Sequence, residues 1–127
     1  MSQTQNKISV SPQGEAFPLP ELSDYAAEYE RVKALAEAAR ESGKEVVVVM
    51  GVGFVGAVMA AIVADCEGKD GQPSKFVIGC QRPSTRSFWK IPLLNRGVSP
   101  VKAEDPQVDL LIGRCVLEKK TLIATYN

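Results

Sequence analysis

The 127-residue chain has no histidine, so a histidine base, a triad built on one and a histidine-ligated metal are all excluded within it. Cysteine is scarce. Cys66, Cys80 and Cys115 form no CxxC pair and are odd in number. That argues against a disulfide framework or a closed zinc site and makes a reducing cytosol the simpler setting. Excess charge is missing too, with 15 Lys plus Arg against 15 Asp plus Glu. A net charge of zero speaks against a nucleic-acid binder, whose affinity rests on neutralising many phosphates. The N-terminus, MSQTQNKISVSPQG, lacks the basic-then-apolar order of a signal peptide. There is no internal repeat, no low-complexity segment and no GxxxxGKS/T, so a P-loop nucleotide hydrolase is not supported. What remains, 45% hydrophobic and 24% charged, is the composition of one globular domain.

Residues 1–22 mix Ser, Gln, Asn and three prolines with few large apolar side chains, and read as a flexible or loosely docked arm. After them Tyr25, Tyr29, Val32, Ala36 and Ala39 recur every three or four residues. Ser23 can cap the start and Gly43 the end, which predicts one amphipathic helix over 24–42. Its polar face, with Glu28, Glu30, Lys33, Glu37 and Arg40, is expected to be solvated surface.

At Glu45 the period changes. Val46–Met50 is a continuous β-branched run, the pattern of a strand buried on both faces of a parallel sheet. Gly51-Val52-Gly53-Phe54-Val55-Gly56 follows, a GxGxxG opening an Ala-rich helix that ends at Asp65-Cys66. A polar loop leads to a second short strand, Phe76–Cys80. Strand, glycine turn, helix and strand form a βαβ unit. In a dinucleotide site the first glycine permits the tight turn and the second lets backbone approach the pyrophosphate. The third lets helix and strand pack closely, and the helix aims free N–H groups and its positive end at the phosphates.

A rival reading is a transmembrane helix, since residues 46–64 are 19 in a row without a charge. Against it, consecutive valines prefer a strand, the glycines fall where a strand-to-helix turn needs them, and the flanking charges are balanced. A dinucleotide site usually places an acid at the end of the second strand to bind the ribose hydroxyls. Here that strand ends in Gly79-Cys80-Gln81-Arg82. Gln81 is a weaker ribose acceptor than a carboxylate. Arg82 or Arg86 facing a 2′-phosphate would favour NADP over NAD, whereas as ordinary surface charges they decide nothing.

Farther on, Pro83–Arg86 suits a helix start, with Phe88, Trp89 and Ile91 as an apolar face that Pro92 should break or kink. Asp105-Pro106 suits an N-cap and first helical position, leading Val108, Leu110, Leu111 and Ile112 into a short helix. Residues 121–126 are a third strand candidate. Cys66 and Cys80 read as small core residues, Cys115 as partly exposed, and no residue of the chain reads as a catalytic acid, base or nucleophile.

The segment VVVVMGVGFVGAVMAAIVA resembles the opening strand, turn and helix of the UDP-glucose/GDP-mannose dehydrogenase family, whose turn reads G-x-G-Y/F-V-G. Leu94-Asn95-Arg96-Gly97-Val98-Ser99-Pro100 is similar to that family's L-N-x-G-x-S-P-I stretch. Glu104, Asp105 and Pro106, then Gly113-Arg114 and Ala124-Thr125, continue the likeness, which spans roughly residues 45–127 and leaves the N-terminal helix outside it. The resemblance implies an NAD-binding portion of a nucleotide-sugar 6-dehydrogenase, an enzyme that oxidises a sugar C6 alcohol to a carboxylate in two hydride transfers. The family's catalytic cysteine and lysine lie in later parts of its pattern, so this portion is expected to be non-catalytic alone. The nucleotide-sugar substrate would be met only with the C-terminal part. The family's ribose-binding aspartate aligns near Gln81 or Arg82.

The expected architecture is α/β: an incomplete Rossmann-type domain over 23–127, with about three parallel strands, flanking helices and the extra N-terminal helix. Gly51, Val52, Gly53, Phe54, Val55 and Gly56 would form the pyrophosphate turn, with Gln81, Arg82 and Arg86 on the adenosine side. The first strand would lie at an open edge, so self-association, or cover by the N-terminal segment, is expected. The alternative is a non-catalytic Rossmann-like module that binds a nucleotide or a protein partner. Neither nucleic acid nor membrane is an expected partner, and the cytoplasm is the expected location.

Overall fold

The computed structural model describes residues 7–51, 54–99 and 106–126. Its elements run β1 (Ile8–Val10), β2 (Ala16–Pro18), α1 (Leu22–Glu41), β3 (Glu45–Met50), α2 (Phe54–Ala64), β4 (Lys75–Cys80), α3 (Lys90–Asn95), α4 (Pro106–Gly113), a π-helical turn (Arg114–Glu118) and β5 (Leu122–Thr125). The strands β3, β4 and β5 form a parallel sheet in that order, with Met50 level with Cys80 and Cys80 level with Thr125.

Alternation along the central strand separates two cores. Val77 of β4, with Leu122 and Ala124 of β5, packs against Ala60, Ala61 and Ala64 of α2, Leu94 of α3 and Ile112 of α4. Phe76 and Ile78 turn the other way and meet Ala36 and Ala39 of α1, with Ile123 beside them. Both crossovers therefore lie on one face of the sheet, and the N-terminal helix covers the opposite face. This is the α/β architecture expected, with three parallel strands and an additional N-terminal helix.

β3 is the open edge of the sheet. It is not buried on both faces as its valine run suggested: Val48 is 55% and Met50 76% exposed. Val47 and Val49 pack into the α2 side, but on the other face only Val46 reaches α1. The uncharged run read as a possible membrane span is divided between β3 and α2. Among the described residues no helix is long and apolar enough to cross a membrane.

Several local expectations are corrected. α1 begins at Leu22, where the Asp24 carboxylate accepts the Glu21 N–H at 2.8 Å, so the cap is not Ser23. It closes at Gly43, which takes a φ of +87° and donates to the Arg40 carbonyl at 3.0 Å. Within the segment read as an arm, β1 and β2 pair as an antiparallel hairpin. That hairpin is anchored: Ser9 is fully buried and its hydroxyl accepts the Trp89 N–H at 3.0 Å, while Arg96 holds Glu15 through two hydrogen bonds. Pro92 neither breaks nor ends α3, because it sits in the first turn, where a helix has no internal acceptor for the N–H. Pro106 does open α4, whereas Asp105 lies outside the described residues. Cys66 is exposed and Cys80 half-buried instead of both being core, and Cys115 is buried instead of partly exposed. Burial also pushes the Cys115 thiol pKa up, the opposite of a reactive thiolate.

Candidate functional site

The carboxyl ends of β3, β4 and β5 share one edge of the sheet, the edge at which open α/β sheets bind ligands. Gly51 extends the ladder one residue past Met50, donating to the Cys80 carbonyl at 2.6 Å. It then turns with φ +90°, which a side chain would make unfavourable. α2 opens three residues later, with no acidic residue in its first turn.

Gly56 makes the closest approach in this turn. A Cβ built on it would stand 2.0 Å from the Gly51 carbonyl oxygen, a backbone atom with no room to yield. Strand end and helix start are thus in direct backbone contact, the fit that the third glycine of a dinucleotide turn provides. Val52 and Gly53 lie outside the described residues, and Phe54 and Val55 are placed as the first two residues of α2.

On the neighbouring strand Gln81 is half-buried, with its N–H donated to the Thr125 carbonyl at 2.9 Å. The Met50–Cys80 register brings Gln81 beside Gly51 at the same edge. Arg82 and Arg86 follow in the turns leading to α3, both exposed. The Arg82 carbonyl accepts from Ser87 Oγ at 3.1 Å and the Arg86 carbonyl from Trp89 Nε1 at 2.7 Å, which fixes their backbones.

The sequence reading missed how the N-terminal helix enters this edge. Glu28, read as solvated, has a side chain only 11% exposed and receives two bonds from Arg31 and one from the Thr125 hydroxyl. Burial alone would raise its pKa, but the hydrogen bonds from Arg31 and Thr125 outweigh this and lower it. Tyr25 of α1 meets Tyr126 edge-on at 5.1 Å, and Phe88 meets the same ring at 5.8 Å. An aromatic wall therefore stands one residue beyond Thr125. Tyr25 was legible as a position on the apolar face of α1, but nothing in the sequence tied it to Tyr126.

A parallel β3-β4-β5 order with a glycine turn after the first strand defines one half of a Rossmann-type dinucleotide fold. No family model and no curated protein matches the chain. Among solved structures, NDP-N-acetyl-D-galactosaminuronic acid dehydrogenase from Methanosarcina mazei Go1 is similar, with a TM-score of 0.56 and 36% identity over 72% of this chain. The chain covers 18% of that protein's length. Over this span the chain is similar to the UDP-glucose/GDP-mannose dehydrogenase family, the family that its glycine turn and its Leu94–Pro100 segment resemble.

Proposed function

We propose that the chain is the NAD-binding portion of a nucleotide-sugar 6-dehydrogenase, not catalytic by itself, with NADP as the alternative cofactor. The observation that carries this reading is the backbone contact of Gly51 with Gly56, which leaves 2.0 Å where a Cβ would stand. Such a contact sets a strand end directly under a helix N-terminus, where free N–H groups can meet a pyrophosphate. In this reading Gly51, Val52, Gly53, Phe54, Val55 and Gly56 cradle the pyrophosphate. Gln81 hydrogen-bonds the adenosine ribose, and Arg82 and Arg86 flank it. When bound, the nicotinamide would accept hydride, and this chain's part is to bind and orient the cofactor. Oxidation of a sugar C6 alcohol belongs to the whole dehydrogenase, of which a chain of this kind supplies a fraction. A cytoplasmic location accords with three unpaired thiols.

Gln81 supports a second reading, a non-catalytic Rossmann-like module that binds a nucleotide or a protein partner. A neutral amide in place of the usual acid weakens the ribose contact, and no catalytic acid, base or nucleophile was found in the sequence. In either reading the open β3 edge favours self-association, because its unpaired backbone groups and the exposed Val48 and Met50 form a template for another strand.

Parallel titrations with NADH and NADPH, followed by calorimetry, test the cofactor reading. Saturable binding that disappears in Gly53→Val places the ligand at the turn. A Gln81→Asp variant should then favour NADH over NADPH, since a carboxylate accepts ribose hydroxyls and repels a 2′-phosphate. No binding of either at millimolar concentration would mean that the turn serves packing alone.

A further inference from the structure

A groove runs along the outer edge of β5, with the whole width of the sheet between it and the glycine turn. Its main cavity, about 290 Å³, is lined by Leu35 of α1, Ile123 of β5 and Leu117 of the π-helical turn, with the buried Phe76 and Leu122 beneath them. Sites for small ligands begin at about 300 Å³. A second hollow of about 170 Å³ shares Leu35, Phe76 and Lys120 and continues toward Lys44. No carboxylate lines either hollow, while Arg31, Lys44 and Lys120 all do.

These cations are not equivalent. Arg31 is neutralised by Glu28, and Lys44 donates to Ser42 Oγ at 2.9 Å. Lys120 makes no ion pair among the described residues. It is also the one described non-glycine residue with a positive φ, +56°, a conformation that costs an ordinary side chain about 1 kcal/mol. The strained backbone lies directly between the π-helical turn and β5, and π-helical turns occur frequently at functional sites.

We propose that this groove binds a carboxylate bearing an apolar tail, with the tail on Leu35, Leu117 and Ile123 and the carboxylate at Lys120. The argument is charge complementarity. An apolar groove whose rim carries cations and the neutral Asn95 and Ser42, but no carboxylate, favours a ligand that is apolar along its length and anionic at one end. A neutral amphiphile would leave the Lys120 charge unused, and a small anion would leave Leu35 and Leu117 in water. The site stands independently of the cofactor reading, since it shares no residue with the glycine turn.

The test is calorimetry of the whole chain with decanoate, kept below its micellar concentration, beside decanol and acetate, with amide and methyl NMR shifts to locate the ligand. Decanoate is expected to saturate and to shift Leu35, Leu117 and Ile123, with decanol and acetate at least tenfold weaker. Lys120→Glu should weaken decanoate at least tenfold and leave decanol unchanged. Lys120→Gly should weaken decanoate similarly while raising the thermal midpoint, because it removes the cation and the backbone strain together. Equal affinity for decanoate and decanol would overturn the proposal. So would unchanged decanoate affinity in both Lys120 variants, shifts confined to the glycine turn, or no saturation at all.

Discussion

Asn95 closes the outer edge of β5 by exchanging two hydrogen bonds with Ala124: its Nδ2 donates to the Ala124 carbonyl at 2.9 Å, and its Oδ1 accepts the Ala124 N–H at 2.8 Å. One side-chain amide thus does at this position what a neighbouring strand would do. The asparagine of the family-like Leu94–Pro100 segment has a structural task here, and the open edge of the sheet lies at β3.

The two bonds are not equally replaceable. Arg31 Nη2 also donates to the Ala124 carbonyl, at 3.1 Å, so that oxygen keeps a partner when Asn95 is removed, whereas the N–H does not. Asn95→Ala is expected to cost about 1–3 kcal/mol, the penalty of a stranded polar group. Asn95→Asp, which still offers an acceptor, should cost clearly less. Urea unfolding of the two variants checks the order, and equal losses would contradict it.

Two glycines should respond in opposite directions to the same substitution. Gly56→Ala drives a methyl group into the Gly51 carbonyl and should cost about 3 kcal/mol or more, beyond ordinary overpacking. At Gly113 the added Cβ would stand 3.6 Å from the Gly97 carbonyl, an ordinary contact, in helical backbone. Gly113→Ala should therefore stabilise by about 0.5–1 kcal/mol. Thermal melts of the pair decide this.

Acid should unfold the protein through two carboxylates. Two hydrogen bonds from Arg114 and one from Lys119 hold Asp65 below its usual pKa, and Glu28 is lowered as described above. The unfolded chain then takes up protons first, so the stabilisation is complete above about pH 5 and is lost as pH falls through the lowered native values. Asp65→Asn should cost about 1 kcal/mol at pH 7, given that its partners are partly exposed, and shrink the loss on acidification. Urea midpoints measured from pH 7 to pH 2 for wild type and variant would show the two curves converging.

The β3 edge should respond to a single charge. Val48→Lys places an ammonium on the exposed strand and should reduce self-association without changing the melting temperature by more than a few degrees. Sedimentation velocity across a concentration series measures it. A wild-type chain that stays monomeric throughout would remove the premise.

The parts of the fold legible in the sequence were those written in local pattern. Val46–Met50 announced a strand, the spacing of Gly51 and Gly56 announced a turn, and the Tyr25–Ala39 period announced a helix. What stayed hidden depended on partners far away in the chain. Glu28 looks like any solvated glutamate until Thr125 is placed over it, and Ser9 like any arm residue until it caps the Trp89 N–H. The candidate site divides the same way. Gly51, Gly56 and Gln81 could be read from spacing, whereas the aromatic wall of Tyr25, Phe88 and Tyr126 required the fold.

The bond from Thr125 to Glu28 spans 97 residues, and that from Arg31 to Ala124 spans 93. The last strand is therefore secured by the first long helix, and neither contact forms until nearly the whole described chain has been gathered. Loop closure of this length is paid before its reward, which slows folding and leaves little for a partly assembled sheet to rest on. β5 and α1 should consequently gain protection from hydrogen exchange together and late, as one cooperative unit, even though they lie far apart in the sequence.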